Sequence, residues 1–463
     1  MHRFWRLFAT GFLVWSAVLT PLGVWAAAKE AKKPVPKAKA STWTEHGRAL
    51  QAVCGDLSVQ VTAVPSGTVL WEYQAHKPLV PASLIKLLTS YAALKELGAD
   101  YQFHTDVWTD RKPVQGVLSG SLWIKGYGDP YLIPERVWVL GQKVRSQGIR
   151  KVLGGIYVDD SAFDPPHEHL CLDNQCDRPH NPVISATAVN YNTVTVEILP
   201  GGDGGTAKDV RTFPATDDVA IRQEWQAQGN NPREYRMNIQ DPQRFAALTF
   251  RRALKEAGIQ VMGAEAGPGP VPPQAHLLYR LESPPLSDVL YGLNRYSNNF
   301  MAEMILRVLG AHVYGFPGTA AKGCRAVENV LARLGVPASE MALDSGSGLT
   351  RTTRVSAAAF NTVLMAAHRD WDVGPEFLAS FARSGEEGTL RKRMKACVSD
   401  YTVRGKTGTL RDVVGFSGYI GNLSGTAYAV TVIMNGVASP WDAREALDAF
   451  VTDIPRLASA KGQ

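Results

Sequence analysis

Two groups of strand-like segments sit at the two ends of this chain, with more than 300 residues between them. LSVQVTAV (57–64), a Pro-Ser-Gly break and TVLWEY (68–73) alternate apolar and polar residues as a β-hairpin does. Far downstream, YTVRGKTG, VVGFSGYIGNL and TAYAVTVIMNG read as three strands in meander order, closed by a helix from about Trp441 to Leu457. An isolated hairpin is marginal in water, so both groups gain most by sharing one sheet. The expectation is an α+β core: an antiparallel sheet of about five strands, built from both ends of the chain and flanked by helices.

Helical spacing follows the hairpin. Leu84, Leu87, Leu88, Tyr91 and Leu94 place a helix over Ala82–Leu97, with Gly98 as its C-cap and Pro81 just before it. The pattern is helical again after Pro284, through SDVLYGLNRYSNNFMAEMILRVLG and AAKGCRAVENVLARLG. Residues 105–280 differ: short alternating runs, separated by GYGDP, GGDGG and PGPVPP, with one evident helix at 241–258. They read as one or two β-rich domains inserted into a catalytic unit made of 43–104 plus 281–463. No internal repeat is visible.

The first 28 residues have a basic start, an apolar run and the Ala26-Ala27-Ala28 site of a secretory signal peptide; an uncleaved anchor is the rival reading. The formal charge of +6 comes from this end. Residues 1–40 hold seven of the 49 lysines and arginines and one of the 43 acids, leaving 42 against 42 elsewhere. The basic excess therefore belongs to the signal and to a Lys/Pro/Ala tether at 29–42. That tether reads as a solvated linker, with a peripheral contact to an anionic membrane surface as the alternative, and nothing points to nucleic acid. Export permits disulfides. Cys171 and Cys176 flank a four-residue loop and form the expected pair, while Cys54, Cys324 and Cys397 have no evident partner. Zinc on His167, His169, His180 and these two cysteines is the alternative, although the spacing fits no standard site.

Three short motifs carry the chemistry. Ser83 and Lys86 share a helix face at i and i+3, where an amine can serve as base to a hydroxyl. Ser297-Asn298-Asn299 falls in the turn between two helical runs, and Lys406-Thr407-Gly408-Thr409 on a strand. Each has a plain alternative, Ser83 as a helix cap and Asn298-Asn299 as a polar turn. Together, in this order, they resemble the penicillin-recognising serine acyl-transferases: the penicillin-binding proteins and class A β-lactamases. The 214 residues from Ser83 to Ser297, together with GYGDP, GGIYVDDSAF, SATAVNYN, DSGSGLTR, SGEEGTLRKR and RGKTGTLRDVVGFSGYI, make the chain most similar to the low-molecular-mass class C, DacB-type D-alanyl-D-alanine carboxypeptidase/endopeptidases.

That resemblance implies a β-lactamase/D,D-peptidase-like core in the periplasm or cell envelope. It implies a catalytic set of Ser83, Lys86 and Ser297, and substrate contacts from Asn299, Lys406, Thr407, Gly408 and Thr409. It carries over Asp129 of GYGDP and Arg351 of SGLTR as contacts to a diaminopimelate side chain. For Asp129 a structural turn role competes, and for Arg351 an ion pair. The substrates implied are peptidoglycan stem peptides and cross-links, with β-lactam antibiotics as covalent inhibitors and no metal or cofactor; a homodimer is compatible with all of this. Arg411 stands where relatives often have a small residue. Asp159-Asp160 has no companion ligands at metal spacing and reads as a strand-end cap or packing element. Two other readings stay open: a β-lactamase or esterase on the same core, and a catalytically silent peptidoglycan-binding protein.

Overall fold

A computed structural model describes residues 42–176, 178–199, 209–215, 233–395 and 401–461. The signal segment, the tether before Thr42 and Cys397 lie outside the described residues. Among those described, no helix is long and apolar enough to cross a membrane.

The ends of the chain do meet in one sheet. Asp56–Ala63 pairs antiparallel with Ala427–Asn435 along its whole length, from Asp56 opposite Asn435 to Ala63 opposite Tyr428. The strand order is Ala382–Arg383, Tyr401–Leu410, Val413–Asn422, Ala427–Asn435, Asp56–Ala63, Val69–Tyr73, antiparallel throughout. The expected five strands are present, and the sixth is the two-residue segment at the edge. Val59, Val61, Val403, Phe416 and Val432 point to one face, where Leu50 of the Trp43–Gln51 helix and Leu447 and Phe450 of the Pro440–Lys461 helix cover them. Helices Ile85–Leu97, Leu286–Tyr296, Asn299–Tyr314, Ala320–Arg333 and Ala357–Arg369 pack on the other face.

The Ile85–Leu97 helix is the hub of that layer. Every residue from Ile85 to Leu94 is buried, polar ones included. A surface helix would show one wet face; this one is enclosed all round, so its polar positions must find partners inside. Thr89 Oγ1 donates to the Gly346 carbonyl at 2.9 Å, and Asn294 Nδ2 donates to Ser90 Oγ at 3.0 Å. Each enclosed leucine contributes about 2 kcal/mol of apolar burial.

The central region has its own five-stranded sheet, in the order Ala266–Pro268, Ile156–Asp159, Leu122–Gly126, Gln102–Thr109, His276–Pro285. Leu122–Gly126 runs parallel to Ile156–Asp159, and the helix Pro134–Ser146 makes the crossover that parallel pairing requires. That helix was not evident from the sequence; it packs beside Pro242–Glu256 over Val107, Ile124 and Val158. The boundaries expected at 105 and 280 both fall inside strands, Gln102–Thr109 and His276–Pro285. Thr105 pairs with Leu281 in the two strands that lead the chain out and back. Asp159 and Asp160 tie this region together: Asp159 accepts from Lys125, Ser161 and Val271, and Asp160 accepts from the Thr187 backbone at 2.7 Å. Cys171 and Cys176 are joined in a disulfide with Cα atoms 4.6 Å apart.

Candidate active site

The three motifs converge through backbone features that their sequences alone do not announce. Pro81 leads into a 3₁₀ turn, Ala82–Leu84, which runs directly into the Ile85–Leu97 helix. Ala82 adopts φ +50°, a left-handed conformation costly for a residue with a Cβ. The turn thus presents Ser83 at the start of the helix, where unpaired N–H groups favour an anion. Ser297 also lies in the left-handed region, at φ +58°, as the C-cap of Leu286–Tyr296. Asn298 caps Asn299–Tyr314 by accepting from the Met301 N–H at 3.1 Å. Two residues, Ser297 and Asn298, therefore separate the two helices, and the turn aims Ser297 and Asn299 at the same cleft.

Two glycines hold the pieces close. A Cβ on Gly408 would lie 2.7 Å from the Pro81 carbonyl oxygen, so only glycine lets the 401–410 strand pack on the serine turn. Gly348, at φ +79°, would meet the Ala82 carbonyl at 2.0 Å if it carried a Cβ.

Lys86 is fully buried, and its Nζ lies 2.8 Å from Ser83 Oγ, 2.7 Å from Asn299 Oδ1 and 2.6 Å from the Ser347 carbonyl oxygen. The last two are obligate acceptors as placed. A neutral amine has two N–H groups for them and one lone pair left, directed at the Ser83 hydroxyl. Burial and then the neighbouring Lys406 push the Lys86 amine well below its ordinary range, with the Glu303 carboxylate working in the opposite direction. The arrangement holds a base against a hydroxyl in a dry site.

Lys406, also fully buried, donates to Ser297 Oγ at 2.7 Å and to the Thr407 carbonyl at 2.7 Å. Burial lowers its pKa to about 7. Thr407 is nearly buried, while Thr409 is exposed on the same strand. Along the outer edge of that strand, Arg404 and Gly405 pair with Arg383 and Ala382 and Val403 bonds Ser384, while from Lys406 to Leu410 no strand pairs with it among the described residues, so that stretch of edge is open.

The two residues carried over for side-chain recognition are not brought together. Asp129 is 1 % exposed. Its Oδ1 accepts from the Tyr131 N–H at 2.8 Å, and burial raises its pKa to about 6. That bond is the one a structural turn role calls for, while its other oxygen is buried without a hydrogen-bond partner among the described residues. Arg351 instead faces Asp173 at 3.5 Å and also pairs with Asp412. Asp173 lies in the disulfide loop, held at φ +56°. The same segment reaches the catalytic cluster: Asn299 Nδ2 donates to the His180 carbonyl at 2.6 Å. The inserted region therefore borders the cleft, and the Asn299 amide is engaged at both ends.

Glu303 was missed from sequence. It lies one turn after Asn299 on the same helix face and is 2 % exposed. Its Oε1 accepts from Ser345 Oγ at 2.6 Å, Gly346 N at 3.1 Å and Ser347 N at 2.9 Å; its Oε2 accepts from Arg307 at 3.0 Å. Burial works to raise its pKa, but Arg307 and these donors outweigh it and hold the carboxyl below its usual range. It fixes the 345–348 turn whose Ser347 carbonyl touches Lys86. The asparagine, glutamate and arginine at i, i+4 and i+8 were the available signal.

A serine turn entering a buried helix, a lysine amine on its hydroxyl and a second lysine–serine pair across the cleft define the class of serine D,D-peptidases and β-lactamases. The comparison with known proteins narrows it. The model of the D-Ala-D-Ala carboxypeptidase 3 (S13) family matches residues 44–237 and 226–454, and the chain belongs to that family. It is 30 % identical over 427 residues to the D-alanyl-D-alanine carboxypeptidase of an Actinomadura species, covering 82 % of this chain and 78 % of the relative. It is 25 % identical over 402 residues to the D-alanyl-D-alanine carboxypeptidase DacB of Haemophilus influenzae, covering 80 % and 83 %. The crystal structure of penicillin binding protein 4 from the same organism superposes with a TM-score of 0.72, at 22 % identity, over 87 % of this chain and 97 % of that one. Its complex with a β-lactam superposes with a TM-score of 0.70. The chain is thus a serine-type D-Ala-D-Ala carboxypeptidase of the DacB-type penicillin-binding proteins.

Proposed function

We propose that Ser83 is the nucleophile, Lys86 its base, and peptidoglycan stem peptides ending in D-Ala-D-Ala, or joined by D-alanyl–diaminopimelate cross-links, the substrates. The observation that carries this is the buried Lys86 amine, 2.8 Å from Ser83 Oγ with its other two contacts occupied by acceptors. An extended peptide adds to the open edge at 406–410. Its scissile carbonyl lies over Ser83, with the backbone N–H groups of Ser83 and Thr409 toward the oxygen. Lys406 and Thr407 meet the carboxylate beyond the scissile bond. Lys86 takes the Ser83 proton as the Oγ–carbon bond forms. Ser297, bonded to Lys406, passes a proton to the departing nitrogen as the carbon–nitrogen bond breaks. Water then attacks the ester, returning the proton to Ser83 and releasing the shortened peptide. Arg351, with Asp173 rather than Asp129 beside it, lies where it can meet a zwitterionic side chain on the acyl side. The β-lactam complex of the Haemophilus relative supports acylation by penicillin as the inhibited form of the same step. The signal segment supports placement in the cell envelope.

Release of D-alanine from a D-Ala-D-Ala pentapeptide tests the proposal. Wild type releases it, Ser83→Ala does not, and Lys86→Ala is slowed by ~10²–10⁴. Rapid turnover of penicillin without peptide cleavage would favour the β-lactamase reading, and no reaction with either would favour a silent binding protein.

A further inference from the structure

Arg404 precedes Lys406 by two residues, on the same face of the strand and about 7 Å further along it. It stands directly opposite Arg383 across the paired edge segment, and Arg295 is near enough for its charge to be felt. Like charges opposed across strands are destabilising. Two of the three are answered by carboxylates: Arg383 by Glu386 at 3.1 Å, and Arg295 by Glu387. The Arg404 guanidinium makes no ion pair and no hydrogen bond among the described residues. Burial, then Arg383 and Arg295, disfavour its charged form, with the Glu386 and Glu387 carboxylates working more weakly in the opposite direction.

This guanidinium lines a cavity of about 450 Å³ whose walls include Thr402, Ala367, Trp371, Leu378 and Tyr419, with His368 and the Lys95-paired Asp370 also at the wall. Trp371 is 90 % exposed at its rim. A part-buried cation in a largely apolar cavity calls for a ligand that brings an anion and some hydrocarbon together.

The direction of the cleft says which ligand. In the reading above, the scissile carbonyl lies between Ser83 and the Thr409 N–H, and the carboxylate beyond it at Lys406. Continuing the same way along the strand, past the Ala382–Arg383 segment that covers its edge at 404–405, leads to Arg404. A terminal D-alanine ends at Lys406 and has nothing left to reach it. The leaving half of a cross-link does continue. We propose that this cavity is the subsite for that leaving strand: a carboxylate of the second stem peptide on Arg404, its methylene and methyl groups against Trp371 and Leu378. The inference rests on the Ser83 reading and deepens it, because it makes Arg404 a determinant of endopeptidase over carboxypeptidase action.

The test compares Arg404→Gln, Arg404→Lys and Trp371→Ala with wild type on two substrates, a muropeptide dimer joined through D-alanyl–diaminopimelate and a monomeric pentapeptide ending in D-Ala-D-Ala. Labelling by fluorescent penicillin verifies that each variant is folded. Arg404→Gln is expected to raise KM for the dimer roughly tenfold, the loss of one charge-assisted contact, with kcat and both monomer constants within about twofold. Arg404→Lys keeps part of the dimer affinity. An equal loss on both substrates, or none on the dimer, overturns the inference. If Arg404→Gln takes no penicillin and so is misfolded, exposed Trp371→Ala carries the test, with the same selective rise in dimer KM required. A wild type that is labelled and cleaves the monomer but not the dimer overturns this inference and leaves the Ser83 reading standing. A wild type that does none of these overturns that reading itself.

Discussion

Glu303→Gln removes one charge and almost no volume from beneath the cleft. Both ends of the Glu303 carboxylate face donors, Ser345, Gly346 and Ser347 on one oxygen and Arg307 on the other. A glutamine cannot satisfy this arrangement, because whichever end its NH₂ takes will meet another donor. Arg307 is 2 % exposed, and among the described residues the one carboxylate it keeps is Glu168, whose side chain is 38 % exposed, beside its bond to the Glu303 backbone carbonyl. Breaking a buried pair from one side costs about 3–5 kcal/mol, and the surviving Glu168 contact puts this case near the lower end. At 2–4 °C per kcal/mol, the melting temperature should fall by roughly 6–12 °C. Activity should report the same loss separately. The Glu303 charge opposes the downward shift of Lys86, so removing it drives the Lys86 pKa lower still. The base then stays neutral to more acidic pH, and the acid limb of the acylation rate moves down. Thermal unfolding and penicillin acylation rates across pH 5–8 measure both effects. A melting temperature unchanged within about 1 °C, with an unmoved acid limb, would refute the role given to Glu303.

Two further predictions follow from buried charges. Lys406, with its pKa lowered to about 7, is a cation below that pH and neutral above it. KM for peptides with a free C-terminal carboxylate should therefore rise several-fold between pH 6 and 9, while the amidated peptide stays flat; identical profiles for the two would contradict it. Burial raises Asp160 to about 7, so its folded pKa exceeds the unfolded value near 3.9. That contribution is fully present below pH 4 and is lost as pH rises through 7, on the order of 4 kcal/mol for a group so enclosed. Denaturant unfolding should show Asp160→Asn with a shallower decline in stability from pH 4 to 8 than wild type, and parallel curves would sink the assignment.

The sheet could be read from sequence because half-buried strands keep strict alternation, as LSVQVTAV and TAYAVTVIMNG do. The Pro134–Ser146 helix could not be read as easily, since its exposed Trp138 and its Gly141 blur the apolar stripe. The Trp43–Gln51 helix carries a signal in the sequence, the capping box of Thr42 and Glu45. In the site, residue types and order were enough to place Ser83, Lys86, Ser297, Asn299 and Lys406 in one cluster. Long-range pairing was not legible. Nothing near Arg351 in the chain points to Asp173, 178 positions away. GYGDP looks equally good as a turn and as a contact, and only burial separates the two for Asp129. Glu303 was hidden by its position inside an apolar helix, where a lone acid reads as a surface residue until its partners are seen.

The claim at the centre is that Ser83 is acylated with Lys86 as its base, and intact-mass spectrometry of the protein with benzylpenicillin tests it most directly. The account predicts one added penicillin on wild type, mapped to the peptide containing Ser83, none on Ser83→Ala, and formation slowed by ~10²–10⁴ on Lys86→Ala. An adduct that forms at the wild-type rate on Ser83→Ala, or that maps to another residue, would contradict it.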